Sequence, residues 1–439
     1  MRVCFTNLGC KLNQAEIERL ARDFLAAGHQ VVDALEEADL HVVNSCTVTH
    51  VAARGSRKAA GRGRRLRPGL RTVLTGCYAT EQPAEAARLA GVDLVVPNAE
   101  KDLLLRRVHE AFPDAVPEDG PGGLPVPYVP LPFGHTRALV KVEDGCNMRC
   151  AFCIIPSTRG RQRSRPLEEV VDEVHALARA GYQEVVVTGV QISAYSHGES
   201  RLCELVRTLL DQTEVPRLRL TSIAPWDLDE RLLGLWSDSR LCRHLHLSLQ
   251  SGSTATLRRM RRPYTAESYA RLLEKVRAAI PGAAVTTDVI VGFPGETGAE
   301  FAESLASVAA AGFAKVHVFP FSPRPGTEAA SMPGQVSPEE KRERMERMIA
   351  VAGRSEAGFL RDHLGTRATV LWEKPKDGMG HGLTDNYIRV FSEAGAALAR
   401  RFSEVDLVAV VEGGVRGASH PRPPLPPPPP DRERGRKAG

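Results

Sequence analysis

A chain of 439 residues exceeds one ordinary core, so two or three domains are expected. Its 42% hydrophobic and 25% charged residues are those of a globular protein, and no run of eighteen apolar residues marks a membrane span. The net charge of +5 admits a polyanionic partner without requiring one; nine cysteines and no secretory pattern at the N-terminus point to metal or redox ligands in a cytoplasmic protein rather than to disulfides.

The pattern predicts an α/β chain in three parts. Residues 1–110 alternate short apolar runs (Val3–Thr6, Leu40–Asn44, Thr72–Thr75, Leu94–Val96) with helical stretches such as Gln14–Ala27, the rhythm of an open parallel sheet with flanking helices. Residues 111–134 are rich in proline and glycine and read as a linker. Between 135 and 363, six strand patterns recur: Ala138–Val142, Glu184–Thr188, Arg217–Thr221, His244–Leu249, Ala284–Val291 and Lys315–Phe319. Helical patterns separate them and a long one, Pro338–His363, closes the region, as in an open, partial (β/α)6 barrel. Residues 364–413 carry the strand-like runs Arg367–Trp372, Asn386–Phe391 and Val405–Val411, which suit a small β-barrel of oligonucleotide-binding size. Residues 414–439 read as a proline-rich tail, polyproline-II or disordered.

The strongest chemical signal is Cys146-Asn-Met-Arg-Cys150-Ala-Phe-Cys153, just after the first barrel strand. Three thiolates at CxxxCxxC spacing can hold three corners of a cubane iron–sulfur cluster and leave the fourth iron open to an amino and a carboxylate group. Zinc is the alternative, but it favours four protein ligands in paired CxxC spacing. Barrel chemistry sits at the C-terminal ends of strands, where this chain has Thr188-Gly189, Ser222, Ser248–Gly252 and Gly292–Glu296. These residues suit close approach of a ligand and also ordinary turns. Cys10, Cys46 and Cys77 each follow a predicted strand of the first domain, whose strand ends face one crevice. They can therefore converge, or be three separate core residues. Cys4, Cys203 and Cys242 lie within apolar patterns and read as packing. Two basic groups stand out: Arg54, Arg57, Lys58, Arg62, Arg64, Arg65, Arg67 and Arg71, and then Arg159, Arg161, Arg163 and Arg165. Such runs neutralise phosphates or simply form solvated faces.

The CxxxCxxC loop, with Phe152 before its last cysteine, resembles the radical S-adenosylmethionine (SAM) superfamily. The longer run Cys146–Arg165, containing Ile154-Ile155-Pro156 and Arg159-Gly160-Arg161, is similar to the methylthiotransferase family within it, as are Met260–Thr265 and Phe321–Thr327. The likeness spans about residues 1–412 and includes the contexts of Cys10, Cys46 and Cys77, with Ser45 standing where the family usually has Thr. It implies two 4Fe-4S clusters, one on Cys146, Cys150 and Cys153 and an auxiliary one on Cys10, Cys46 and Cys77. It implies SAM at the open iron, with Phe152, Thr188, Gly189, Ser248, Gln250, Gly292 and Pro294 around it. Hydrogen on an aromatic carbon is beyond side-chain bases, so a SAM-derived radical would remove it and no separate base is needed. The auxiliary cluster would deliver the methylthio unit.

The C-terminal barrel resembles a TRAM RNA-binding domain at Gly382–Tyr387. RNA contacts are expected from Lys374, Lys376, Tyr387 and Arg389, and from Arg159, Arg161, Arg163 and Arg165. Gly9–Gln14 looks most like the branch that methylthiolates carbon 2 of N6-threonylcarbamoyladenosine at position 37 of tRNA. Branches acting on isopentenyladenosine or a ribosomal-protein aspartate share both clusters, and a non-catalytic, metal-dependent RNA-binding protein is the alternative of a different class. Implied partners are tRNA and an external electron donor of flavodoxin or ferredoxin type. The sulfur donor is not identified by sequence, and no membrane is involved.

Overall fold

The computed structural model describes residues 1–116 and 135–419. The N-terminal domain is a five-stranded parallel sheet of β1 (Arg2–Asn7), β2 (Gln30–Val32), β3 (Leu40–Ser45), β4 (Arg71–Gly76) and β5 (Leu94–Val96), in the order β2-β1-β3-β4-β5. The short edge strand β2 went unpredicted. Helices cover both faces, as a parallel sheet requires. On one face α1 (Lys11–Ala26) sets Ile17, Leu20 and Phe24, spaced for one helical stripe, against Val3, Leu40 and Val42. On the other, Ala53 and Ala60 of α2 (His50–Ala60) pack on Val43 and Leu74. A short α3 (Arg62–Leu66) continues α2 beyond Gly61. Beyond β5 a final helix runs Leu104–Ala111, and the predicted linker lies outside the described residues from 117 to 134.

The second domain carries the six expected strands: β6 (Ala138–Lys141), β7 (Glu184–Thr188), β8 (Arg217–Leu220), β9 (His244–His246), β10 (Ala284–Val291) and β11 (Lys315–Pro320). All paired neighbours are parallel. They form two three-stranded sheets, β8-β7-β6 and β9-β10-β11, joined by single bridges Leu218–Leu241 and Ile223–Leu247. The wall is open between β6 and β11, and α1 of the first domain packs on β6 and β7, where Ala15 meets Leu139 and Val186. This second contact explains why α1 buries Asn13 and Glu16 opposite its apolar stripe.

The third domain is a closed five-stranded barrel of β12 (Arg367–Trp372), β13 (Gly380–Leu383), β14 (Arg389–Ser392), β15 (Phe402–Val411) and β16 (Gly414–Ser419), in the order β12-β13-β14-β16-β15. Strand β16 corrects the sequence reading, which began the tail at Gly414. Val415 is fully buried beside Val390 and Val405, and Gly414 approaches β14 so closely that a Cβ would stand 2.2 Å from the Arg389 carbonyl oxygen. A strand built from small residues for close approach looks like a turn in sequence. The polyproline run lies outside the described residues.

This barrel is seated on the base of the partial barrel. Arg219, fully buried, donates to Glu184 (2.6 Å) and to the carbonyls of Asp385 (2.9 Å) and Thr384 (3.1 Å). Arg243 pairs with Asp385 at 2.6 Å, and the Tyr387 ring stacks on His244 with centroids 4.3 Å apart. The TRAM-like stretch 382–387 is thus a docking loop between domains.

Candidate active site

Three strand ends carry Cys10, Cys46 and Cys77 to one edge of the N-terminal sheet. Asn13 ties two of those ends together, donating to the carbonyls of Leu8 (2.8 Å) and Ser45 (3.1 Å), with its own oxygen 3.8 Å from the Cys10 sulfur. Ser45 donates to the Thr75 carbonyl and so ties in the third, a role its hydroxyl keeps in place of threonine's. Ser56 of α2 clamps the Cys46 backbone on both sides, accepting from its N–H (2.9 Å) and donating to its carbonyl (2.8 Å). Asn98 donates weakly to the Cys77 sulfur (3.7 Å) and firmly to the Thr158 carbonyl of the second domain (2.8 Å). Cys46 and Cys77 are buried and Cys10 is exposed. Burial pushes the Cys46 thiol up to about 11.

Gly9 sits at φ +103°, where a Cβ would be 2.8 Å from the Cys46 Cβ and 2.9 Å from its sulfur. Only glycine brings the β1 end this near to Cys46. Gly9→Ala is therefore expected to displace Cys46 and to lower the iron of reconstituted protein from about eight to about four per chain. Iron and sulfide analysis checks this.

Cys146, Cys150 and Cys153 line a cavity of about 320 Å³ at the C-terminal end of the partial barrel, within the range of small-molecule sites. Of the residues expected around SAM, Phe152, Ser248 and Gln250 line it. Thr188, Gly189, Gly292 and Pro294 do not. Thr188 is buried against Thr221, and Gly189 packs on Glu143, whose carboxylate accepts the N–H groups of Val190 and Gln191 at 2.9 Å. Gly292 is buried under Lys341 and donates to Glu296, and Pro294 is buried beside it. These loops support the rim from behind.

The cavity wall adds residues that sequence reasoning missed. Arg262 donates to the Cys150 sulfur at 3.3 Å and lies over the rings of Trp226 and Tyr264, at 4.9 and 5.4 Å. The Gln191 carbonyl oxygen is 3.9 Å from the Cys146 sulfur, and its amide donates to Asp227. His246 and Asp288, on neighbouring strands, are hydrogen-bonded at 3.2 Å, and Thr286 links His246 (3.1 Å) to the buried His244 (3.0 Å). Their signal was available: polar residues at alternate positions of β9 and β10 point into the barrel while Leu245, Val285 and Val289 pack outward. Val48, two residues beyond Cys46, also lines the cavity, so the loop from the N-terminal trio forms part of its wall.

The donor sets fit the implied groups. Each is three cysteine thiols, and burial pushes the Cys153 thiol up to about 12, so a bound metal rather than solvent would favour the thiolate. Among the described residues no three His, Cys, Asp or Glu side chains close around a single ion.

The expected RNA-contacting arginines are differently employed. Arg159 is buried and joins Glu16 of α1 (2.9 Å) to Asp144 (2.9 Å). Arg163 pairs with Asp144 at 2.8 Å and Arg165 with Glu173 at 2.5 Å. Arg161 alone of the four is exposed without an ion pair among the described residues. In the C-terminal barrel, Lys374, Lys376 and Arg389 are exposed, whereas Tyr387 has Lys11 and Arg219 over its ring as well as the stack on His244.

The radical SAM superfamily matches residues 140–308, and a family described as uncharacterized protein family UPF0004 matches residues 2–97. The chain is 37% identical over 403 residues to threonylcarbamoyladenosine tRNA methylthiotransferase MtaB of Bacillus subtilis (strain 168), covering 88% of this chain and 89% of that protein. It is 35% identical over 407 residues to the MtaB of Aquifex aeolicus (strain VF5), covering 90% and 97%. It is also 35% identical over 397 residues to tRNA-2-methylthio-N(6)-dimethylallyladenosine synthase of Anaeromyxobacter sp. (strain K), covering 87% and 85%. Among solved structures, the radical SAM methyltransferase TsrM of Kitasatospora setae, with cobalamin and a 4Fe-4S cluster bound, superposes with a TM-score of 0.54 at 17% identity. That likeness, over 75% of this chain and 77% of that one, is one of fold. A radical SAM enzyme requires a 4Fe-4S cluster and SAM, and the thiols of the matched segment that fit the cluster are those around the 320 Å³ cavity. With both domain matches and identity above a third along nearly its whole length, the chain belongs to the radical SAM methylthiotransferase family.

Proposed function

We propose that the protein methylthiolates carbon 2 of N6-threonylcarbamoyladenosine at position 37 of tRNA, using one cluster on Cys146, Cys150 and Cys153 and an auxiliary cluster on Cys10, Cys46 and Cys77. The observation that carries this reading is Val48, two residues beyond Cys46, which lines the same cavity as the three barrel cysteines. The names of the MtaB relatives and the motif Gly9–Gln14 support the threonylcarbamoyl substrate.

Bound there, the cluster and SAM supply the one-electron chemistry that an aromatic C–H demands. The chain's own residues hold and orient. Arg262 donates to the Cys150 sulfur and is fixed by Trp226 and Tyr264; Gln191 is fixed beside Cys146 by Asp227; Phe152, Ile155 and Val48 are apolar wall that limits water around a reactive species. Reduction requires an electron donor, for which a flavodoxin or ferredoxin is the expected class. No helix among the described residues is long and apolar enough to cross a membrane, and a cytoplasmic location accords with a tRNA substrate.

Nucleoside mass spectrometry of tRNA from a deletion strain tests the substrate. Loss of the methylthio form of threonylcarbamoyladenosine is the expected result. Loss of the isopentenyladenosine derivative instead, or unaltered tRNA, would overturn it.

A further inference from the structure

We infer that the exposed ridge of α2 and α3, which starts at the mouth of the cavity, is the docking surface for the phosphates of the tRNA anticodon stem; this rests on tRNA being the substrate. From Leu40 to Thr80 the chain has no Asp or Glu, yet it holds the eight cations between Arg54 and Arg71, while the whole chain is nearly balanced at 58 basic and 53 acidic residues. Carboxylates elsewhere neutralise three of them: Arg64 pairs with Asp93 (2.7 Å), Arg67 with Asp39 (3.4 Å) and Arg71 with Asp114 (2.6 Å). Arg57 lies over the Tyr78 ring. Arg54, Lys58, Arg62 and Arg65 are exposed, and among the described residues none has a carboxylate partner.

Position gives that charge a direction. Arg54 and Lys58 are one helical turn apart, about 6 Å along the axis, and Arg62 and Arg65 continue onto α3. At the near end are two exposed valines, Val51 at 82% and Val48 at 46%, and Val48 lines the cavity. An apolar lip beside the site, followed by uncompensated cations leading away from it, complements a nucleotide turned out of a loop with its phosphates trailing behind. The other basic group near the site offers only Arg161 for this role, because Arg159, Arg163 and Arg165 are committed to Glu16, Asp144 and Glu173.

The test uses the full-length, cluster-loaded protein and an in vitro tRNA transcript, with binding measured over a range of salt concentrations. The variant Arg54→Gln/Lys58→Gln/Arg62→Gln/Arg65→Gln should melt like the parent. It should bind roughly tenfold or more weakly, and its log–log salt slope should be shallower by about 3, four contacts at roughly 0.7–0.9 each. A control, Arg342→Gln/Arg361→Gln at two exposed positions of the long helix 338–362, outside α2 and α3, should leave both quantities unchanged. Parent affinity and slope retained in the quadruple variant would overturn this surface. Failure of the parent protein itself to bind tRNA would overturn the substrate reading.

Discussion

Cys10→Ala is expected to abolish methylthio transfer while reductive cleavage of SAM to 5′-deoxyadenosine continues, and Cys150→Ala to abolish both. The asymmetry follows from where the thiols stand. Cys150 lines the cavity at the barrel's C-terminal rim, with Arg262 on its sulfur. Cys10 lies outside that cavity, at the exposed start of α1 beside Cys46. Each variant should retain about four irons per chain after anaerobic reconstitution. Quantifying 5′-deoxyadenosine and the methylthiolated nucleoside in the same reaction separates the two functions. A Cys10 variant that thiolates tRNA at the parent rate would remove the auxiliary site from this trio.

Glu16→Ala is expected to destabilise the protein by about 3–5 kcal/mol, the range for removing one partner of a buried ion pair, as read from urea unfolding. Glu16 faces Lys101 (2.6 Å), Arg159 (2.9 Å) and Lys141 (3.2 Å) with 4% of its side chain exposed. Without it, Lys101 and Arg159 become buried charges lacking their main carboxylate. Burial alone would raise the Glu16 carboxyl, but Lys101, Arg159 and Lys141 outweigh it and hold the group well below the usual range. Burial lowers the Lys101 ammonium, whereas the Arg159 guanidinium stays charged and adds its attraction to that of Lys101 on Glu16. The folded-state value therefore lies below the unfolded one, about 4.3. The stabilisation is complete above that pH and is lost as pH falls through the folded-state value. Glu16→Gln should accordingly show a flatter loss of stability below about pH 4.3 than the parent. An unchanged acid limb would remove Glu16 from the network's charge balance.

The parts of this molecule that were legible in sequence are those whose signals are local. A cysteine at the end of an apolar run announces both a strand and its mouth, and Cys10, Cys46, Cys77 and Cys146 do stand just beyond strands, as their sequence contexts predict. All six barrel strands were found because each is flanked by a helical pattern. What escaped depends on distant partners. Arg159 sits in an arginine-rich run that reads as surface, and two carboxylates, one of them 143 residues earlier, make it core. Tyr387 reads as a stacking platform for RNA, but β9 supplies His244 to fill that face. His246 and Asp288 were passed over because they interrupt strands, and it is the lumen of an incomplete barrel that gives inward polar side chains room.

One helix constrains how the reaction can be staged. Because α1 packs on β6 and β7 of the barrel wall, starting just after Cys10 and pinned by Glu16 to Arg159, the spacing between the two thiol trios is built into the scaffold rather than adjusted by a hinge. On the proposed assignment of the two trios, the travelling component is then the nucleotide, unstacked from its loop and presented to both trios in a single pose.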